Sequence, residues 1–196
     1  MTTSLILLGA GSGALHAIVA PDHLLSLGPA ALQDPKSSLR VGGMWGVGHG
    51  FGTLALGLPL VLMASVVELP WLSTVTGRLA GLVLLLTAWG SWRMLRRPAD
   101  PHGSASKGGP FWVGLLHGLT GASALVLMLP VVTSGHRLSA LSYLLAFAVG
   151  SALGMAALTH AIGRVAGQLK ATVMLRAQQF MITAAAILGG MWLVAG

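Results

Sequence analysis

Two imidazoles and a carboxylate interrupt the first apolar stretch of this 196-residue chain, at His16, Asp22 and His23. On an ideal helix of about 3.6 residues per turn, His16 and His23 lie on nearly the same face. Pro21, directly before the Asp-His pair, is expected to kink or open that helix. Two neutral imidazoles with a carboxylate suit a borderline divalent cation such as Ni²⁺, Co²⁺ or Zn²⁺, whereas Mg²⁺ and Ca²⁺ prefer more oxygen ligands. The spacing predicts a metal site. The alternative is a core histidine bonded to a carbonyl, followed by an interfacial Asp-His pair.

Other histidines extend this prediction. His49 lies in a glycine-rich segment, 42–52, whose small residues favour close helix packing, so it is either a ligand or a packing histidine. His117 is the sequence counterpart of His16 and is either a further ligand or a structural residue. Ser123 and Thr120 are weaker candidates, because hydroxyls in membrane helices mostly bond the preceding turn. The remaining polar candidates are expected to be solvated or interfacial: His102, His136, His160 and Glu68.

The composition restricts the environment of these residues. Hydrophobic residues make up 55% of the chain, and only 8% are charged, against about 25% in ordinary soluble domains. The sequence therefore predicts an all-α membrane protein. The first apolar stretch has no basic residues before it, so it is expected to be a mature helix rather than a signal peptide.

Cysteine is absent, which excludes disulfides and thiolate metal ligands. The basic residues that give the net charge of +7 are spread between apolar segments, which argues against a nucleic-acid partner.

Apolar segments long enough to cross a bilayer recur along the chain. Six transmembrane helices are predicted, at 4–31, 41–67, 71–95, 110–133, 138–163 and 171–195. Nine basic residues follow the odd-numbered spans: Lys36, Arg40, Arg93, Arg96, Arg97, Lys107, Arg164, Lys170 and Arg176. Only Arg78 and Arg137 fall on the other side, so the positive-inside rule places both termini outside the cytoplasm of a cell (inner) membrane.

The two halves of the sequence resemble each other. At an offset of 101, Gly13, His16 and Pro29 meet Gly114, His117 and Pro130; at an offset of 102, Val47, Gly48 and Gly52 meet Val149, Gly150 and Gly154. The chain is therefore expected to form two three-helix repeats, 1–95 and 110–196, joined by a cytoplasmic linker loop at 96–109. An odd number of spans per repeat requires the second repeat to be inverted, which is a common architecture of secondary transporters.

The sequence resembles the nickel/cobalt permeases and their relatives, which include nickel/cobalt efflux proteins and urease-accessory-type membrane proteins. The resemblance is carried by His16, Pro21, Asp22 and His23, and by the Gly-x-Gly-His segment that ends at His49. The spacer between His16 and Asp22 is one residue longer than in the permease motif, and the linker loop has only His102 where exporters often have many histidines. The resemblance implies transport of Ni²⁺ or Co²⁺ as substrate, with Zn²⁺ as an alternative, and no enzymatic activity. It also implies a lipid bilayer and a metal cation as partners, with a homo-oligomer or a metallochaperone as further options.

Two other functions are compatible with the sequence. Ser123 and His160, each within a Gly/Ala-rich segment, resemble the motifs of rhomboid intramembrane proteases, although they fall on consecutive predicted spans. A non-transporting membrane subunit that holds a metal is the other alternative. Flux that depends on His16 and His23 favours a transporter, whereas cleavage that depends on Ser123 favours a protease.

Overall fold

The computed structural model describes residues 2–62, 70–96, 108–121 and 136–195, and within these ranges the regular structure is entirely helical. The helices are α1 (Thr2–Val19), α2 (Pro21–Gln33), α3 (Ser38–Leu62), α4 (Pro70–Arg96), α5 (Gly109–Thr120), α6 (Arg137–Ala166) and α7 (Ala171–Ala195), with a 3₁₀ turn at Pro35–Ser37 between α2 and α3. The prediction of an all-α protein is confirmed for this part of the chain. The predicted linker, 96–109, and the second half of the predicted span 110–133 lie largely outside the described residues.

The first predicted span, 4–31, is broken. Ala20 has an extended backbone, with φ −71° and ψ 117°, and Pro21 begins a new helix directly after it. Because proline has no N–H, it cannot donate to the carbonyl of Ala17 as a continuing helix would require. The two segments are bent by 65° relative to each other. The expected opening of the helix at Pro21 is confirmed.

The described helices have the surface of a membrane protein. Two of them, α6 and α7, are long and apolar enough to cross a membrane, and the bent pair α1–α2 makes a third if it counts as one span. Large apolar side chains face outward, among them Leu7, Leu8, Leu15, Ile18, Leu153, Phe180 and Ile187. Four histidines are buried instead: His16, His23, His49 and His117. Ionisable groups inside the bundle together with large apolar side chains on its surface indicate membrane insertion.

Glycines allow several helix pairs to approach each other closely, and two of these contacts are related by the sequence repeat. Where α1 packs on α6, a Cβ on Gly13 would collide with the carbonyl of Phe147. Where α3 packs on α5, a Cβ on Gly114 would collide with the carbonyl of Trp45. Gly13 and Gly114 are counterparts at the offset of 101, and Trp45 and Phe147 are counterparts at 102. The same contact is therefore made twice, each time between helices from different halves of the sequence.

The duplication continues along both pairs. A Cβ on Gly48 would meet the carbonyl of Phe111, and a Cβ on Gly150 would meet that of Ala10, which are again counterparts. In each pair the residue numbers of the two contacting helices rise together, so α1 is parallel to α6 and α3 is parallel to α5.

The short helix α2 is held in place by α7. The side chain of Gln178 is buried, and its Nε2 donates a hydrogen bond to the carbonyl of Pro29 over 3.2 Å. One residue earlier on α2, Gly28 leaves room only for the side chain of Met181. This docking fixes the orientation of α2, which carries Asp22 and His23 at its start.

Candidate metal centre

Three imidazoles meet inside the bundle. His16 comes from the last turn of α1, His23 from the first turn of α2 and His49 from the middle of α3, and all three are buried. One ligand nitrogen from each lies within 4.8 Å of the others. The ring centroids are 4.8 Å apart for His16–His23, 4.9 Å for His23–His49 and 5.9 Å for His16–His49. We call these three residues the histidine trio.

The break in the helix at Ala20 brings His16 and His23 of the trio together. In a continuous helix, two residues seven positions apart are separated by about 10 Å along the axis, even when they share a face. The bend between α1 and α2 brings the rings of His16 and His23 to a centroid distance of 4.8 Å instead. His49 is then supplied by α3, which packs mainly on α6 and α5.

Four of the six ring nitrogens of the trio lack hydrogen-bond partners. His16 Nε2, His23 Nδ1 and both ring nitrogens of His49 are buried without one. Leaving a buried polar atom unsatisfied costs about 1–3 kcal/mol, so native structures rarely retain several together without a reason. A cation bound by neutral imidazoles would satisfy these nitrogens, and nitrogen donors suit Ni²⁺, Co²⁺ and Zn²⁺.

Asp22 and His117 flank the trio. The Oδ2 atom of Asp22 lies 3.9 Å from His23 Nε2 and also 3.9 Å from His117 Nε2. His117, near the end of α5, has its ring centroid 6.2 Å from that of His23, and its Nδ1 is buried without a partner. The structure thus brings together all five residues singled out in the sequence, but it places His117 beside Asp22 rather than within the trio.

The sequence analysis missed two side chains of this centre. Trp45 is buried with its ring 5.2 Å from His49, 5.3 Å from His23 and 5.2 Å from His117. Ser26 Oγ lies within hydrogen-bonding distance of His117 Nε2, at 3.2 Å. Helical spacing could have found both, because Trp45 precedes His49 by four residues and Ser26 follows Asp22 by four.

The other polar candidates are placed elsewhere or lie outside the described residues. His136 and His160 are exposed, as expected for solvated or interfacial groups. The hydroxyl of Thr120 donates to the carbonyls of Leu116 and His117, which is the expected bonding to the preceding turn. Three further candidates fall outside the described part of the chain: Glu68, His102 and Ser123.

The chain is similar to two chloroplast proteins of Arabidopsis thaliana. It is 28% identical to Chloroplast protein FOR GROWTH AND FERTILITY 2 over 178 residues, which cover 83% of the chain and 48% of that protein. It is 30% identical to Chloroplast protein FOR GROWTH AND FERTILITY 1 over 184 residues, covering 83% of the chain and 50% of the relative. The chain therefore spans about half the length of these two relatives.

A bacterial protein is matched over a larger share of its length. The chain is 30% identical to the urease accessory protein UreH of Bacillus sp. (strain TB-90) over 177 residues, which cover 82% of the chain and 76% of UreH. No family model and no solved structure matches the chain. With 30% identity over three quarters of UreH, the chain belongs to the family of this urease accessory protein.

Proposed function

We propose that the protein transports a divalent transition-metal cation, most favourably Ni²⁺ or Co²⁺, across a membrane through the buried centre around His16, His23 and His49. The observation that carries the proposal is the histidine trio itself. One ring nitrogen from each of α1, α2 and α3 lies within 4.8 Å of the others, and four of the six ring nitrogens are buried without a hydrogen-bond partner. Asp22 and His117 supply further donor atoms next to it.

The donor set and the family favour these metals. Imidazole suits Ni²⁺, Co²⁺ and Zn²⁺ better than Mg²⁺ or Ca²⁺, and the chain contains no cysteine that would select a softer metal. The resemblance to nickel/cobalt permeases and the membership in the UreH family support nickel in particular. The chloroplast relatives are named for growth and fertility, so delivery to urease need not be the role in every member of the family.

The position of the centre favours transport over a static metal site. Ionisable groups inside a membrane bundle commonly mark an ion pathway, and transporters often place their substrate site at interrupted helices. Here the site surrounds the break between α1 and α2. The parallel pairs α1–α6 and α3–α5 support two inverted three-helix repeats, 1–95 and 110–196, because only inversion makes the first helix of each half parallel to the second helix of the other.

In this mechanism the cation loses water as it enters the bundle and is bound by neutral imidazoles, while the two halves rock to open the centre to one side and then the other. The architecture is that of six spans in a cell (inner) membrane with both termini outside the cytoplasm. A second copy of the chain or a metallochaperone at the cytoplasmic face is a compatible partner. No step requires a chemical reaction, so the protein acts as a transporter rather than an enzyme.

The proposal is tested with purified protein in liposomes that enclose a metal-sensitive dye. We expect Ni²⁺ or Co²⁺ flux in the wild type, and flux at the level of empty liposomes for His16→Ala and His23→Ala. His160→Ala is the matched control, because this histidine is exposed on α6 and should retain wild-type flux. Metal binding without flux in either direction would reject transport in favour of a non-transporting subunit, and wild-type flux in His23→Ala would reject the site.

A further inference from the structure

We infer that the cation occupies two overlapping positions in turn, one within the histidine trio and a second between Asp22 and His117, with His23 adjacent to both. This inference rests on the proposed function and concerns the path of the cation through the same centre. It differs from a single site in which all five predicted residues bind the cation at once.

The second position is defined by the carboxylate of Asp22. Two ligand atoms that each bind a metal at about 2.1 Å can be at most about 4.2 Å apart. Asp22 Oδ2 and His117 Nε2 are separated by 3.9 Å, so one cation can bridge them with little movement. Ser26 Oγ, which lies 3.2 Å from the same His117 nitrogen, adds a second oxygen.

His23 connects the two positions. Its Nε2 lies 3.9 Å from Asp22 Oδ2, while its Nδ1 is buried without a partner. Its ring centroid is 4.8 Å from that of His16 and 6.2 Å from that of His117. A cation leaving one position is therefore within reach of the other without crossing an apolar gap.

The trio binds the cation more strongly than the second position does once its three imidazoles have moved together. Its nitrogens are spread over as much as 4.8 Å, beyond the limit of about 4.2 Å for two ligands of one metal, so the three imidazoles must contract around the cation. Three nitrogen donors then hold a borderline cation more strongly than one nitrogen and two oxygens do. Two divalent cations sharing His23 would repel each other, so the positions are filled alternately.

The two positions differ in which half of the chain supplies them. The trio belongs entirely to α1, α2 and α3, whereas the second position needs His117 from α5. Passage from one to the other therefore transfers the cation from the first half to the boundary between the halves. A movement of α5 relative to α2 changes the distance from Asp22 to His117, which links the handover to movement at the boundary between the halves.

X-ray absorption at the cobalt edge tests the inference, because it counts the imidazoles around bound Co²⁺. We expect the wild type and His117→Ala to have the same three-imidazole shell and Co²⁺ affinities within about threefold of each other, while flux in His117→Ala falls at least about tenfold. His49→Ala should bind Co²⁺ at least about tenfold more weakly, with fewer imidazoles and more oxygen in the shell. His160→Ala serves again as the control and should match the wild type throughout.

Three other results would contradict either the two positions or the proposed function, and each can be told apart from the others. A wild-type shell of four imidazoles that drops to three in His117→Ala would show that His117 binds together with the trio and would overturn the two positions. Unchanged flux in His117→Ala would remove the second position from the path. Failure of the wild type to bind either Co²⁺ or Ni²⁺ would refute the proposed function itself, which none of the variant comparisons does.

Discussion

The indole of Trp45 lies nearly parallel to the imidazole of His49, with ring planes 8° apart and centroids separated by 5.2 Å. The same indole also touches the rings of His23 and His117, from the trio and from the second position. Because its backbone carbonyl meets Gly114 on α5, Trp45 is fixed at the contact between the two halves. Trp45 thus orients imidazoles without needing to bind the metal.

Replacement of Trp45 by leucine is expected to weaken Co²⁺ binding about tenfold, since His49 loses the flat surface that orients it. Trp45→Phe keeps an aromatic ring and should stay within about threefold of the wild type. Binding is measured by titration of the purified protein, with Trp112→Leu as the control because Trp112 is exposed on α5. Wild-type affinity in Trp45→Leu would contradict a positioning role.

Restoring the backbone hydrogen bond at the break should dismantle the site. Pro21→Ala supplies the N–H that can donate to the carbonyl of Ala17, so α1 can continue into α2 and carry His23 away from His16 by up to about 10 Å along the axis. We expect Co²⁺ affinity to fall by more than about tenfold. Pro59→Ala, at an exposed position of α3, is the control and should bind normally. Retained binding in Pro21→Ala would show that the tertiary contacts alone hold the bend.

The sequence was sufficient to identify the candidate ligands but not how they group. His16, Asp22 and His23 are recognisable because ionisable residues inside an apolar segment are rare, and the helices 71–95, 138–163 and 171–195 follow from hydrophobic length. The division into a trio and a second position depends on the 65° bend and on the approach of α5 to α3. Neither the bend nor this helix approach is encoded by the spacing of residues along one helix.

The approach of α5 to α3 depends on glycine at position 118. A Cβ there would collide with the carbonyl of His49 and the backbone nitrogen of Thr53, so Gly118→Ala must push α5, and His117 with it, away from α3. Overpacking of this kind lowers the free energy of unfolding by about 1–3 kcal/mol. We therefore expect a lower thermal unfolding temperature together with reduced flux. Gly43→Ala is the control: no atom lies within 4 Å of a Cβ at that position, and alanine favours helix over glycine, so stability should hold or rise slightly.

Metal binding is expected to weaken as the pH falls. Imidazole ligates a metal only in its neutral form, so protons compete with the cation for His16, His23 and His49. Between about pH 8 and about pH 5, the range in which histidines commonly titrate, Co²⁺ affinity should fall continuously. The measurement is the same titration at several pH values, and His160→Ala should follow the wild-type curve. An affinity independent of pH would argue against imidazole ligands.

The orientation of the chain can be tested without removing any native thiol, because the sequence contains no cysteine. Thr3→Cys places a single thiol at the exposed start of α1, and Ser104→Cys places one in the predicted linker loop. If basic residues keep their loops in the cytoplasm, intact cells should expose the first thiol to a membrane-impermeant maleimide and protect the second until the membrane is opened. The reverse labelling pattern would invert the topology. Labelling of both thiols in intact cells would place an even number of spans between them and so rule out three-helix repeats joined at this loop.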